Sequence, residues 1–174
     1  MRIEVGGGTL EASVRGDRVT IRLAPPRDIR WNFCMTILNC PYTVSFVNTG
    51  VPHVVHFTEE LNKLDVKMLG SKFRYHKEFS PQGANVDFVQ VVDRHKIKVR
   101  TYERGVEDET LACGTGAVAS AIIAAESEKL DSPITVQMLS GEELKVYFSR
   151  KSGQFKDIFL EGRPRLVYEG EFNI

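Results

Sequence analysis

Apolar and polar positions alternate in short runs along most of the chain, the period-2 signature of strands with one buried face. Thr9–Val14 and Arg18–Leu23 flank the turn-like Arg15-Gly16-Asp17 and read as a hairpin, with strand-like Met1–Val5 ahead of it. Tyr42–Val47 and His53–Phe57 are predicted strands around Asn48-Thr49-Gly50-Val51-Pro52, and Val86–Val92 and Lys96–Tyr102 follow. Four more strands are predicted near Ile134–Leu139, Leu144–Ser149, Asp157–Glu161 and Arg165–Tyr168. After Ala24-Pro25-Pro26, the stretch Arg30–Cys40 is too irregular to assign.

Two segments leave the period of two. Glu59–Leu69 places Leu61, Leu64, Met68 and Leu69 at helical spacing. A second helix is predicted from Gly114 or Thr115 to about Lys129. Its centre, Ala117–Ala125, is apolar on every face, and such a helix is buried all round. Its residues are also small, so strands wrapped around one central helix would suit it. The fold class is α+β, in one domain over residues 1–174, with no repeat or linker.

Composition narrows the setting. Lys+Arg and Asp+Glu are both 23, so the net charge is zero, and no positive field for sequence-independent nucleic-acid binding is present. The longest apolar stretch, Ala117–Ala125, falls short of the ~20 residues that cross a bilayer. Three cysteines make no disulfide framework. Neither a signal peptide nor a membrane partner is expected, and a reducing, cytoplasmic location is.

The sharpest local signal is Thr110-Leu111-Ala112-Cys113-Gly114-Thr115-Gly116-Ala117. It sets a thiol at the mouth of a predicted helix, where free N–H groups and roughly half a positive charge favour anions. That field can lower a thiol's pKa and make Cys113 a base, nucleophile or redox centre. A small buried hydrophobe is the other reading. Cys34 and Cys40 lack a glycine-rich turn or metal-like spacing and read as structural. His53, His56, His76 and His95 show no repeated Cys/His spacing, so no metal is expected; on a strand His53 and His56 face opposite sides. Tyr102-Glu103-Arg104-Gly105 ends a strand with an arginine able to grip a carboxylate, or with a mere surface ion pair. Asn85, after Gln82-Gly83-Ala84, is a candidate ligand contact or a turn residue. Gly6-Gly7-Gly8 lacks a phosphate-loop frame and receives no role.

Asn48-Thr49-Gly50-Val51-Pro52-His53-Val54-Val55, Gly83-Ala84-Asn85-Val86-Asp87-Phe88-Val89, and Arg100-Thr101-Tyr102-Glu103-Arg104-Gly105 through Cys113-Gly114-Thr115-Gly116-Ala117 together resemble the C-terminal half of the diaminopimelate epimerases. The resemblance implies a mixed, curved, antiparallel-rich sheet or barrel around the Thr115–Lys129 helix, with residues 1–23 as the crossover from a first domain. It implies interconversion of LL- and meso-diaminopimelate, in lysine and peptidoglycan precursor biosynthesis, with no cofactor and no metal. Two cysteines would face the α-carbon, one removing a proton and the other returning one.

By resemblance Cys113 is one of these thiols, with His53 and Glu103 biasing the thiol pKa values. Gly114 and Thr115 would donate to the reacting carboxylate, while Asn85, Arg104 and Glu103 would hold the substrate. Three departures stand out. Val51 replaces a substrate-binding asparagine, and Gly105-Val106-Glu107-Asp108-Glu109 is one residue longer than the commonest form. The Cys-Gly-Asn-Gly turn carrying the partner cysteine is missing. The expectation is therefore a half enzyme, inactive alone, whose partner is the missing N-terminal domain; a homodimer is compatible with it. Its site face should be open and Cys113 accessible to alkylation. Alternatives are a non-catalytic binding or assembly domain, a thiol hydrolase with His53 as base, and a related cofactor-independent racemase.

Overall fold

A computed structural model describes residues 1–5 and 8–171; of the Gly6-Gly7-Gly8 run, the first two glycines lie outside the described residues. The strands are β1 (Arg2–Val5), β2 (Gly8–Arg15), β3 (Arg18–Leu23), β4 (Arg27–Ile37), β5 (Cys40–Asn48), β6 (Pro52–Phe57), β7 (Asn85–Asp93), β8 (Lys96–Glu103), β9 (Asp108–Thr110), β10 (Ile134–Gln137), β11 (Glu143–Lys151) and β12 (Gln154–Gly162). Two α-helices join them, α1 (Val66–Arg74) and α2 (Gly114–Ser127). All twelve strands form one sheet in the order β1-β2-β3-β12-β11-β10-β8-β7-β6-β5-β4, with β9 on β8. Among the described residues, only β6/β7 and β10/β8 pair in parallel. The α+β, antiparallel-rich expectation is met.

The sheet wraps around α2, which carries ten consecutive buried residues, Gly116–Ala125. Alanines at 117, 119, 121, 124 and 125 let strands approach from several sides, and Val47, Val55, Val89, Val99, Val136, Val146 and Ile158 fill this inner core. Alternation sends the other side chains of the same strands outward. Val54, Val86, Phe88 and Tyr102 thus build a second core with Leu69 and Phe73 of α1. Residues 53–55 of β6 and 85–89 of β7 are buried on both faces.

Three sequence expectations shift. The helix predicted over Glu59–Leu69 divides into a single 3₁₀ turn at Leu61–Lys63 and α1, which begins later because the Asp65 side chain accepts the Met68 N–H at 2.9 Å as a cap. The irregular Arg30–Cys40 stretch belongs largely to β4, whose pairing with β5 slips between Arg27 and Arg30 and again between Arg30 and Phe33. Asp28 and Asn32 take positive φ there, so the alternation is broken twice and could not be read. Arg165–Tyr168 is not a strand; Leu166, Val167 and Tyr168 are exposed in irregular chain.

Candidate active site

Parallel pairing of β6 with β7 sets His53 opposite Asn85 and Val55 opposite Asp87. Antiparallel pairing of β7 with β8 sets Asp87 opposite Thr101. With a side-chain period of two, His53, Asn85, Asp87, Thr101 and Glu103 all fall on the inner face. Near the strand ends they meet the first turn of α2. Gly116 makes this approach feasible, since a Cβ there would lie 2.5 Å from Asp87 Oδ1.

Cys113 is the residue capping α2, in extended conformation, with the Ala117 N–H on its carbonyl at 2.9 Å. The first N–H groups of a helix have no intrahelical acceptor, so those of Gly114 and Thr115 are available to an anion. Sγ lies 3.5 Å from Thr115 Oγ1 and 3.9 Å from Asn85 Nδ2. Asn85 also donates to Glu103 Oε1 at 2.6 Å and accepts the Arg104 N–H at 2.8 Å. One buried amide thereby ties thiol, acid and arginine together. The Arg104 guanidinium, half-buried, reaches the Gln82 and Gly83 carbonyls at 3.4 Å each. Among the described residues no group of His, Cys, Asp and Glu could hold a metal ion, and no helix is long and apolar enough to cross a membrane.

All seven residues singled out by sequence, Cys113, His53, Glu103, Asn85, Arg104, Gly114 and Thr115, converge at this end of α2. Two expectations about Cys113 are corrected. It is only 8% exposed, so the site face is not open at the thiol. Its pKa is pushed up to about 12, first by burial and then by the Asp87 and Glu103 carboxylates, against a smaller opposing effect of the Thr115 contact. Burial and two acids outweigh the helix field. The hydrolase alternative also loses its direct contact, because His53 Nε2 is engaged by Thr115 Oγ1 at 3.0 Å. Sequence reading gave Asp87 no role. An acid in the apolar run Val86–Val89, at an inward-facing position, was the available signal.

The raised pKa has a measurable consequence. Alkylation of Cys113 should be slow at neutral pH and rise about tenfold per pH unit toward 12, while exposed Cys34 and Cys40 label first. The folded protein holds the Cys113 proton more tightly than an unfolded chain near the ordinary thiol value of 9.0. This contribution to stability is fully present below about pH 9 and is lost as pH climbs toward 12. Mass-resolved labelling against pH tests it, and fast neutral labelling of Cys113 would contradict the burial.

The fold is shared by solved structures of low sequence identity. It superposes on a Bacillus anthracis phenazine biosynthesis protein of the PhzF family with a TM-score of 0.68 at 15% identity, covering 93% of this chain and 64% of that one. A probable proline racemase from Agrobacterium radiobacter K84 gives 0.67 at 14% identity, covering 93% and 56%. The diaminopimelate epimerase family model matches residues 45–167, and the chain belongs to that family. It is 40% identical to the diaminopimelate epimerase of Chlorobaculum tepidum, covering 99% of this chain and 65% of the relative. It is 42% identical to that of Aquifex aeolicus, covering 99% and 62%. The chain thus spans less than two thirds of the length of these relatives.

Proposed function

We propose that these residues form the C-terminal part of a diaminopimelate epimerase, an isomerase converting the LL to the meso form by cofactor-independent proton transfer. The observation that carries this reading is Cys113 at the start of α2, beside two free backbone N–H groups and an Asn85–Glu103–Arg104 network. Removing a proton α to a carboxylate adds negative charge to a group already anionic. The Gly114 and Thr115 N–H groups and the α2 dipole would stabilise that charge in place. Arg104 and Asn85 would bind the distal amino-acid end, with Glu103 accepting from its ammonium.

At neutral pH Cys113 is a thiol and acts as the acid that returns a proton. The base is a second thiolate on the opposite face of the α-carbon. Cys34 and Cys40 sit exposed on β4 and β5, outside the Cys113 cluster. The second thiol therefore comes from a segment outside these 174 residues, bearing the Cys-Gly-Asn-Gly turn, and this chain alone is inactive.

The test is α-hydrogen exchange on diaminopimelate in heavy water, with the chain alone and after adding the complementary domain of a relative. Exchange that requires both parts is expected. Silence with both would overturn the catalytic reading in favour of a binding module, and inversion by the chain alone would overturn the half-site.

A further inference from the structure

A line of hydrogen bonds runs from the thiol into the core, and the roles considered so far leave its inner end unexplained. Asp87 has no solvent exposure, yet it lies among Val86, Phe88 and Val89. Its Oδ1 accepts the Thr101 hydroxyl at 2.7 Å and its Oδ2 lies 2.7 Å from Nδ1 of His53, which is equally buried. His53 Nε2 is 3.0 Å from Thr115 Oγ1, which is 3.5 Å from Cys113 Sγ. A buried carboxylate is costly unless its hydrogen bonds are satisfied, and here each oxygen has one partner.

The donor count gives this line a direction. With a neutral imidazole beside an ionised carboxylate, which only accepts, the single ring proton sits on Nδ1 and Nε2 accepts. The Thr115 hydroxyl has one hydrogen, which goes to Nε2. Toward sulfur it can then only accept, so the Cys113 S–H points at Thr115. We propose that Asp87 is the positioning residue of this site: it fixes the His53 tautomer and, through the Thr115 hydroxyl, the direction in which the Cys113 thiol points. Its importance for proton return to substrate rests on the epimerase reading above. The hydrogen-bond polarity itself does not.

The groups facing this line are His53 from β6, Asp87 and Asn85 from β7, Thr101 and Glu103 from β8, and Thr115 beside Cys113 on α2. Asp87→Asn keeps the shape and reverses the logic. An asparagine that accepts from Thr101 presents its NH₂ to Nδ1. The imidazole proton then moves to Nε2, and the Thr115 hydroxyl turns toward sulfur. The same variant removes a negative charge beside the thiol.

Imidazole ¹⁵N spectra and Cys113 labelling against pH, on the chain and on Asp87→Asn, test the proposal. Expected are the Nδ1–H tautomer in the parent, the Nε2–H tautomer in the variant, and a labelling midpoint lowered by about one pH unit or more. Loss of the Asp87 charge lowers the midpoint by itself, so the tautomer decides: an unchanged tautomer in the variant would leave Asp87 a packing and charge role alone and would overturn the proposal. An Nε2–H tautomer in the parent overturns it too, even if the variant fails to fold. Neither readout uses diaminopimelate, so a failed exchange assay with the expected tautomers would reject the epimerase reading and leave the polarity standing.

Discussion

Cys113→Ala, tested in the two-part assembly, should lower α-hydrogen exchange on diaminopimelate by about 10²–10⁴-fold, the range a positioned acid or base contributes. The effect should fall on kcat with little change in KM. The substitution removes only the sulfur, and the groups proposed to bind substrate do not depend on it. Asn85 keeps its bonds to Glu103 and to the Arg104 N–H, and the α2 start keeps its free donors. Cys113→Ser should fail almost as badly, since a serine hydroxyl in the same buried, acid-flanked position is a weaker acid than the thiol. Steady-state kinetics with isotope exchange provide the check. Exchange within tenfold of the parent would remove Cys113 from the proton path.

Gly70→Ala should destabilise the fold although alanine is the better helix former. In the middle of α1 the exchange favours folding by about 1 kcal/mol on propensity alone. Packing opposes it. A Cβ at Gly70 would lie 2.5 Å from Tyr102 Cβ and 2.7 Å from Cγ, atoms tied closely to the β8 backbone that cannot swing aside. Overpacking of this kind costs about 1–3 kcal/mol, and the unyielding Tyr102 atoms set it at the upper end, so a net loss of about 2 kcal/mol is expected. Urea unfolding would show a lower midpoint at unchanged slope. Tyr102 immediately precedes Glu103 and Arg104, so a shifted β8 should also weaken substrate binding. A midpoint at or above the parent value would show that α1 can back away from the sheet.

What could be read from sequence follows from what leaves a periodic trace. The α2 helix was legible because the nine small and apolar residues Ala117–Ala125 admit few other readings, and β6, β7 and β8 were legible from apolar runs bounded by turns. The site residues were legible as motif members, and they do converge. β4 was hidden because bulges at Asp28 and Asn32 break its alternation. The start of α1 was misplaced because leucine spacing continues through a 3₁₀ turn, while the Asp65 cap decides where α-helix begins. The state of Cys113 was misread for a different reason. The helix field is local and visible in sequence, whereas burial under the surrounding strands, and then the Asp87 and Glu103 carboxylates they carry, raise the thiol's pKa.

The absence of any solvent face on the middle of α2 bears on how the chain acquires its structure. Its neighbours run from β4 to β12, so its surroundings are assembled from chain segments on both sides of it and far apart in sequence. A 14-residue helix of this kind is marginal alone and would expose apolar side chains on every side. It therefore gains most of its stability only once the distant strands have closed around it. Folding must cross a barrier set by these long-range pairings, and slow, all-or-none assembly is the kinetic signature of a domain built around a core that no single hairpin can shelter.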